Sequence, residues 1–285
     1  MSDILVLSRT DLAGLMTFAD YVEAVAEAFR LYAEGRCSAP MPMELPAQDG
    51  AFHIKAACRD AYVAVKMNAN FPRNPRRAGL PTIQGVVLLS DAMNGTPLAL
   101  LDAIEITIQR TGAATAVAAR YLAPADATTA TICGCGVQGR IQLVALHHAL
   151  RFRRAFAWDI YPKVAAEYAR RMSAKLGIEV SPVSALREAT RVSQVIATCT
   201  TASAGFLGLE DVRPGTFIAA IGADNPEKSE IRPELMARAK VVGDIREQCA
   251  TMGDLHHAIL ARSMTAADLH AELGDLVTGR KRGRE

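Results

Sequence analysis

Residues 129–140, TATICGCGVQGR, limit the possible folds more than any other stretch of this chain. A β-prone run, 129–133, ends in Gly134-x-Gly136-x-x-Gly139, and an apolar pattern of helical spacing, 141–150, starts at once. In a dinucleotide-binding fold the first glycine makes the tight turn and the second lets the main chain approach a pyrophosphate. The third lets helix and strand pack closely, and the helix N-terminus faces the negative charge. About twenty residues later a second β-prone run, AFAWD, ends in Asp159, where a carboxylate can accept hydrogen bonds from an adenine-side ribose. Strand, glycines, helix, strand and acid in that order predict a nicotinamide cofactor; the alternative is a glycine turn in an ordinary α/β domain. Asp159 repels a 2′-phosphate, so NAD is favoured. NADP stays possible, because Arg153, Arg154 and Lys163 lie close in sequence.

A chain of 285 residues can bury sizeable cores and typically divides into two domains. Its 32 basic and 30 acidic side chains leave a formal charge of +2, so there is no electrostatic case for nucleic acid. The basic tail GRKRGRE reads as a solvated end. The cysteines (37, 58, 133, 135, 199 and 249) lack metal-ligand spacing and a compact disulfide framework, so no metal is expected. The N-terminus has no basic n-region, and no apolar stretch approaches the length of a membrane span. The expectation is a cytoplasmic enzyme.

The first part of the chain reads as mixed α+β. ILVL is a strand, the residues from Ser8 to Asp11 suit a helix cap, and 21–35 has helical spacing with a stop at Gly35. The runs AFHIKA, AYVAVKMNA, TIQGVVLLSD and PLALLDA read as strands, the last two joined by an Asn94-Gly95 hairpin. An alanine-rich helical stretch, 103–122, softly broken at Gly112, connects the domains. From Thr129 strands (129–133, 153–159, 179–183, 194–199, 216–221, 240–244) alternate with helices (138–150, 162–176, 184–191, 233–239). That alternation predicts a Rossmann-type doubly wound parallel sheet. Two further helical stretches follow Gln248. The expected division is a substrate and dimerisation domain at 1–115, a Rossmann domain at 116–262, and a C-terminal helical segment at 263–285 returning toward the first domain.

Ligands in such a sheet sit beyond the carboxyl ends of the strands. VIATCT carries Thr198, Thr200 and Thr201 there, whose hydroxyls could meet a cofactor or cap a turn. TFIAAIGA is followed by Asp224, a carboxylate at the crevice mouth or the start of a turn with Asn225-Pro226. In the first domain Lys66 interrupts the apolar run AYVAVKMNA, where an ammonium needs a partner or a cleft. Arg110 sits inside an apolar helical stretch and suits a carboxylate. Singly, each could be a surface residue. Together with Asp224 they give two cations for a substrate carboxylate and one acid for proton transfer at an amine.

The sequence resembles the ornithine cyclodeaminase/μ-crystallin family along nearly its whole length. The resemblance rests on Lys66-Met67-Asn68 with Pro72 and Asn74, Gly79-Leu80-Pro81-Thr82, NGTPLALLDAIEITIQRTGAATAVAARYLA, GCGVQG, Asp159, and GADNPEKSE at 222–230. It implies a two-domain homodimer, an NAD(P)-binding second domain, and hydride exchange at the α-carbon of an amino acid or its imine. Cyclodeaminase, amino-acid dehydrogenase and cyclic imine reductase chemistry all belong to this class. By resemblance Lys66 and Arg110 contact the substrate carboxylate, and Asp224, with Lys66, is catalytic. Thr82, Arg110, Gly134, Gly136, Val137, Gln138, Gly139, Asp159 and Thr200 approach the cofactor. Lys228 and Glu230 are motif positions of open role.

Two departures qualify the carry-over. Where the family commonly has an arginine after proline this chain has Met43, and where it often reads Met-Pro-Ala this chain has His53-Ile54-Lys55-Ala56. Lys55 either replaces the arginine as a substrate ligand or repels an ornithine side chain. At about 4 Å and an effective dielectric of about 20 that repulsion is roughly 4 kcal/mol. The resemblance also leads one to expect a further strand and helix after GRKRGRE. A non-catalytic NAD(P)H-binding protein of crystallin type is the alternative to an enzyme.

Overall fold

The computed structural model describes residues 3–285. The chain divides into two compact units, Met1–Arg110 and Thr111–Glu285.

In the first unit, strands β1 (Leu5–Leu7), β2 (Met41–Ala47), β3 (Gly50–Arg59), β4 (Tyr62–Asn70), β5 (Ile83–Asp91) and β6 (Pro97–Asp102) form one sheet. Their order is β1-β6-β5-β4-β3-β2. β2 to β6 run as an antiparallel meander, and β1 joins β6 in parallel. The turn between β5 and β6 places Gly95 at φ +75°, the left-handed conformation that an Asn-Gly pair supplies. Helices α1 (Arg9–Ala13) and α2 (Phe18–Ala33) each begin at a capping box, Ser8 with Asp11 and Thr17 with Asp20. Helix α3 (Asn74–Arg77) is a single turn opened by Pro75. Helix α4 (Ala103–Leu122) runs unbroken through Gly112, contrary to the soft break its sequence suggests. One glycine costs about 1 kcal/mol, which its alanine neighbours offset.

Side-chain alternation gives this sheet two unlike faces. On one, Pro42, Lys55, Lys66, Val87 and Leu101 share a row, and Glu44, His53, Asn68 and Gly85 share the next. On the other, Met41, Ala56, Val65, Leu88, Leu100 and Val6 form one row, and Met43, Ile54, Met67 and Val86 the next. Val6, Met41, Met43, Met67 and Leu88 are exposed there.

The second unit holds β7 (Thr129–Cys133), β8 (Arg154–Trp158), β9 (Glu179–Pro182), β10 (Val195–Thr198), β11 (Ser203–Leu207) and β12 (Phe217–Ala220), with helices α5 (Val137–Leu150), α6 (Pro162–Leu176) and α7 (Leu186–Thr190). All but β11 form a parallel sheet of order β12-β10-β7-β8-β9. Successive residues feed opposite cores. Ala130, Ile132, Ala155, Ala157, Val195 and Ala197 pack with Leu143, Leu146, Tyr168 and Met172. Ile196 packs instead with Leu207, Ile231, Leu235 and Leu255. Burial on both faces explains the nearly continuous apolar strands. This is the doubly wound Rossmann-type sheet that the alternation predicts. Strand order reverses between β7 and β10, where such sheets take ligands.

Beyond β12 the sequence reading needs correction. β11 pairs with β13 (Ser229–Ile231) in a separate two-stranded sheet, followed by helix α8 (Pro233–Met236). The run near 240–244 is not a sixth strand of the large sheet: β14 (Val242–Gly243) pairs only with β15 (Ala271–Glu272). Gly253, at φ +81°, splits the first C-terminal helical stretch into α9 (Arg246–Thr251) and α10 (Asp254–Leu260). The second keeps only α11 (Leu273–Val277) as α-helix, because Ala271 is drawn into pairing with Val242. Residues 263–285 lie in the second unit, where Arg284 donates from its main-chain N to Tyr121 O (2.8 Å) and from Nη2 to Gly215 O (2.7 Å). Among the described residues no helix is long and apolar enough to cross a membrane.

Candidate active site

The glycine loop joins β7 to α5, and each glycine has a different reason to be there. Gly134 sits at φ +95°, and a Cβ there would come within 2.7 Å of Cys199 O. A Cβ on Gly139 would collide with Gly134 O, so helix and strand could not close. Gly136, the N-cap of α5, is different: a Cβ would meet nothing within 4 Å, and no side chain caps the helix. Open space therefore faces the uncapped first turn of a fourteen-residue helix, the arrangement that receives a phosphate. Val137 is exposed beside it, and Gln138 has a buried Oε1 with no partner. Tyr168 donates to Gly139 O at 2.8 Å and fixes the loop from α6.

Asp159 follows the end of β8. Its Oδ2 accepts from Cys135 N (2.9 Å) and its Oδ1 from Tyr161 N (3.0 Å). One carboxylate thus ties the glycine loop to the neighbouring strand end. Each oxygen keeps a lone pair for a further donor, such as a ribose hydroxyl. Cys133 and Cys135 are buried; burial, then the Asp159 charge, pushes the Cys135 thiol up to about 12, so it is inert packing. The residues present fit a dinucleotide.

At the ends of β10 and β12 the organising group is Glu230, which is fully buried. Its Oε1 accepts from Thr200 N (2.6 Å) and Thr200 Oγ1 (2.7 Å), and its Oε2 from Thr198 Oγ1 (2.7 Å) and Gly222 N (2.7 Å). Burial pushes the Glu230 carboxyl up, against these bonds, which pull it down. Asp254, at the start of α10, in turn accepts from Glu230 N (2.7 Å) and Ile231 N (2.9 Å). Thr200 spends its hydroxyl hydrogen inward on Glu230. Asp224 lies on the loop after β12; its exposed carboxylate accepts from Lys228 Nζ at 2.8 Å. Asn225 Oδ1 accepts from Glu227 N and Lys228 N (both 3.0 Å), so the turn belongs to Asn225 and leaves Asp224 pointing outward. Lys228 supports the loop by ion pairing.

The remaining sequence-predicted residues belong to the first unit. Lys55 and Lys66 are direct cross-strand partners of β3 and β4. Burial, then the charges of Arg110 and Lys55, pulls the Lys66 ammonium down to about 8. Asn68 lies two residues along β4; its Nδ2 donates weakly to Thr107 Oγ1 of α4 (3.5 Å), and its Oδ1 is buried without a partner. Gly85 makes room for that amide, since a Cβ would strike it. Arg110 follows Thr107 by three residues, one turn along the same helix face. Thr82 precedes β5 in a loop held by Phe71 N to Thr82 O (2.8 Å) and Asn74 Nδ2 to Pro81 O (3.3 Å). The structure therefore gathers Lys55, Lys66 and Arg110 in one unit, and the glycine loop, Asp159, Thr200 and Asp224 in the other.

A model of the ornithine cyclodeaminase/mu-crystallin family matches residues 2–285. The chain belongs to that family. Alanine dehydrogenase of Archaeoglobus fulgidus is 34% identical over 283 residues, 99% of this chain and 87% of that one. The structure of Thermococcus litoralis Delta(1)-pyrroline-2-carboxylate reductase in complex with NADH and L-proline is 34% identical, with a TM-score of 0.95 over 99% of this chain and 88% of that one. An archaeal alanine dehydrogenase dimer with bound NAD matches with a TM-score of 0.94 at 34% identity, over 99% and 87% of the two chains. Glu230 and Asp254 are what the sequence reading missed as an organising pair. The available signal was a glutamate flanked by residues of a buried strand, Ser229 and Ile231.

Proposed function

We propose that this protein is an NAD-dependent oxidoreductase that exchanges a hydride with the α-carbon of an α-amino acid or its imine. The observation that carries this reading is the glycine loop: open space at Gly136 before an uncapped helix, closed by the Asp159 carboxylate. The named relatives, an alanine dehydrogenase and an imine reductase, bind NAD or NADH and lie in the same chemical class. Asp159, with its negative charge where a 2′-phosphate would fall, supports NAD over NADP.

Lys66 and Arg110 are assigned to the substrate α-carboxylate, which offsets the desolvation of the half-buried Lys66 ammonium and its repulsion by the exposed Arg110. The orphaned Asn68 Oδ1 is an acceptor suited to an amino or imino N–H. Asp224 is assigned the proton at nitrogen: it accepts one from the substrate ammonium before oxidation and returns one after reduction. Its Lys228 partner holds the carboxylate in place for this transfer. Bound at the glycine loop, the nicotinamide supplies or takes the hydride; the chain's part is positioning and electrostatics. Lys55 opposes a substrate bearing a side-chain ammonium, which favours dehydrogenase or imine reductase chemistry over ornithine cyclisation.

The exposed apolar face of the first sheet supports a homodimer. Its exposed Val6, Met41, Met43, Met67 and Leu88 lie in two neighbouring apolar rows of that face, and large apolar surfaces of this kind commonly mark protein–protein contacts. The functional test is NADH titration by fluorescence, then turnover at 340 nm with 2-oxo acids plus ammonium, cyclic imino acids, and amino acids plus NAD. Turnover in any of these supports the proposal. NADH binding with no turnover supports the non-catalytic alternative, and no binding refutes both.

A further inference from the structure

Lys55 does not fit a site built for one carboxylate. It faces Lys66 directly across β3 and β4, a placement in which like charges destabilise a sheet. Its other row neighbour, on β2, is Pro42, which carries no charge. The nearest acid in the adjoining row, Glu44, is engaged with His53 at 3.2 Å. Among the described residues neither Lys55 nor Lys66 has a carboxylate within 4 Å, and Arg110 adds a third positive charge that reaches Lys66. One α-carboxylate has two oxygens, enough for Lys66 and Arg110 as assigned above. Lys55 is left over, on the same face and one strand nearer the edge of the sheet.

We infer that Lys55 selects a second carboxylate, making the substrate an α-amino or α-imino dicarboxylic acid of four or five carbons. This rests on the proposed hydride chemistry and deepens it. In the reductive direction the imine carbon gains the hydride of NADH and its nitrogen gains a proton, giving the amino dicarboxylate and NAD. Lys66 and Arg110 hold the carboxylate next to the reacting carbon. Lys55 holds the distal one, fixing which face of the planar imine is presented. A diamino acid would put an ammonium where Lys55 places its own.

The test compares kcat/KM for oxaloacetate and 2-oxoglutarate against pyruvate, each with saturating ammonium and NADH. The expected result is a preference of at least tenfold for one of the dicarboxylates. Lys55→Met should lower the dicarboxylate-to-monocarboxylate ratio at least tenfold, and Lys55→Arg should restore most of it. A preference for pyruvate in the parent would overturn the inference while leaving the proposed function intact. So would an unchanged ratio in Lys55→Met, because Lys55 would then serve the shared carboxylate. Absence of turnover on all three, and on amino acids and cyclic imines, would sink the proposed function and the inference together.

Discussion

Replacing Glu230 by glutamine removes one charge and almost no volume, yet its four partners make the change costly. Each carboxylate oxygen takes one hydroxyl and one main-chain N–H: Thr200 Oγ1 and N on one side, Thr198 Oγ1 and Gly222 N on the other. The hydroxyls can rotate to accept from the new amide. The main-chain N–H groups cannot. Whichever way the glutamine is turned, one buried N–H faces an NH2 group, at a cost of about 1–3 kcal/mol for the orphaned donor. The bonds that survive lose their charge assistance, roughly halving their strength. Relief from burying a charge returns part of this. The net expectation for Glu230→Gln is about 2–3 kcal/mol of lost stability at neutral pH, or about 5–10 °C in Tm for a unit of this size. Urea unfolding followed by circular dichroism gives the number directly. A variant within about 0.5 kcal/mol of the parent would show that the carboxylate is not the hub described.

The two loop glycines should separate folding from binding. Gly136→Val should fold with near-parental stability and lose at least tenfold in NADH affinity by fluorescence titration, whereas Gly134→Ala should lose stability outright, since φ +95° and Cys199 O both oppose a side chain. Lys66 should leave a signature in pH. Its folded pKa, about 8, lies below the ordinary 10.5, so the stability tied to this group is present above pH 10.5 and is lost as pH falls through about 8. Lys66→Met should flatten that rise in unfolding free energy between pH 8 and 10.5. In the parent, KM for an acidic substrate should climb above pH 8 as the free enzyme loses the charge. Asp224→Asn should lower kcat at least a hundredfold with NADH affinity within about threefold, because proton transfer alone is removed. Parental turnover would take Asp224 out of the mechanism.

The second unit was legible from its chain because burial on both faces forces uniform apolar strands and the glycine spacing fixes where the first helix starts. β7, β8 and β9 fall within a residue of expectation at either end. Legibility fades where long-range pairing overrides local pattern. The stretch TAADLHAELGDLVTG has helical spacing, but His270 N donates to Val241 O and Ala271 pairs with Val242, so only five residues stay α-helical. β11 and β13 are short, contain serine and glycine, and satisfy each other through a register shift that no local pattern encodes. Glu230 and Asp254 look like surface acids in sequence; their burial is set by donors from the ends of β10 and β12 and from β13, which only the tertiary fold brings together. In the first unit, Lys66 stands out in the sequence because it breaks an apolar run, whereas the Lys55 pairing is visible only in the register of β3 against β4.

Asp159 has a lesson for anyone wishing to switch the preferred coenzyme. Its two oxygens clasp the amides of Cys135 and Tyr161, so the side chain proposed to discriminate between nucleotides also fastens the glycine loop proposed to cradle the phosphates. Truncation to alanine would discard the clasp along with the charge, weakening the grip on either coenzyme. Asparagine retains one acceptor and removes the repulsion. Engineering at this position is therefore a trade between selectivity and cradle rigidity, and a compensating hydroxyl near Cys135 would have to come first.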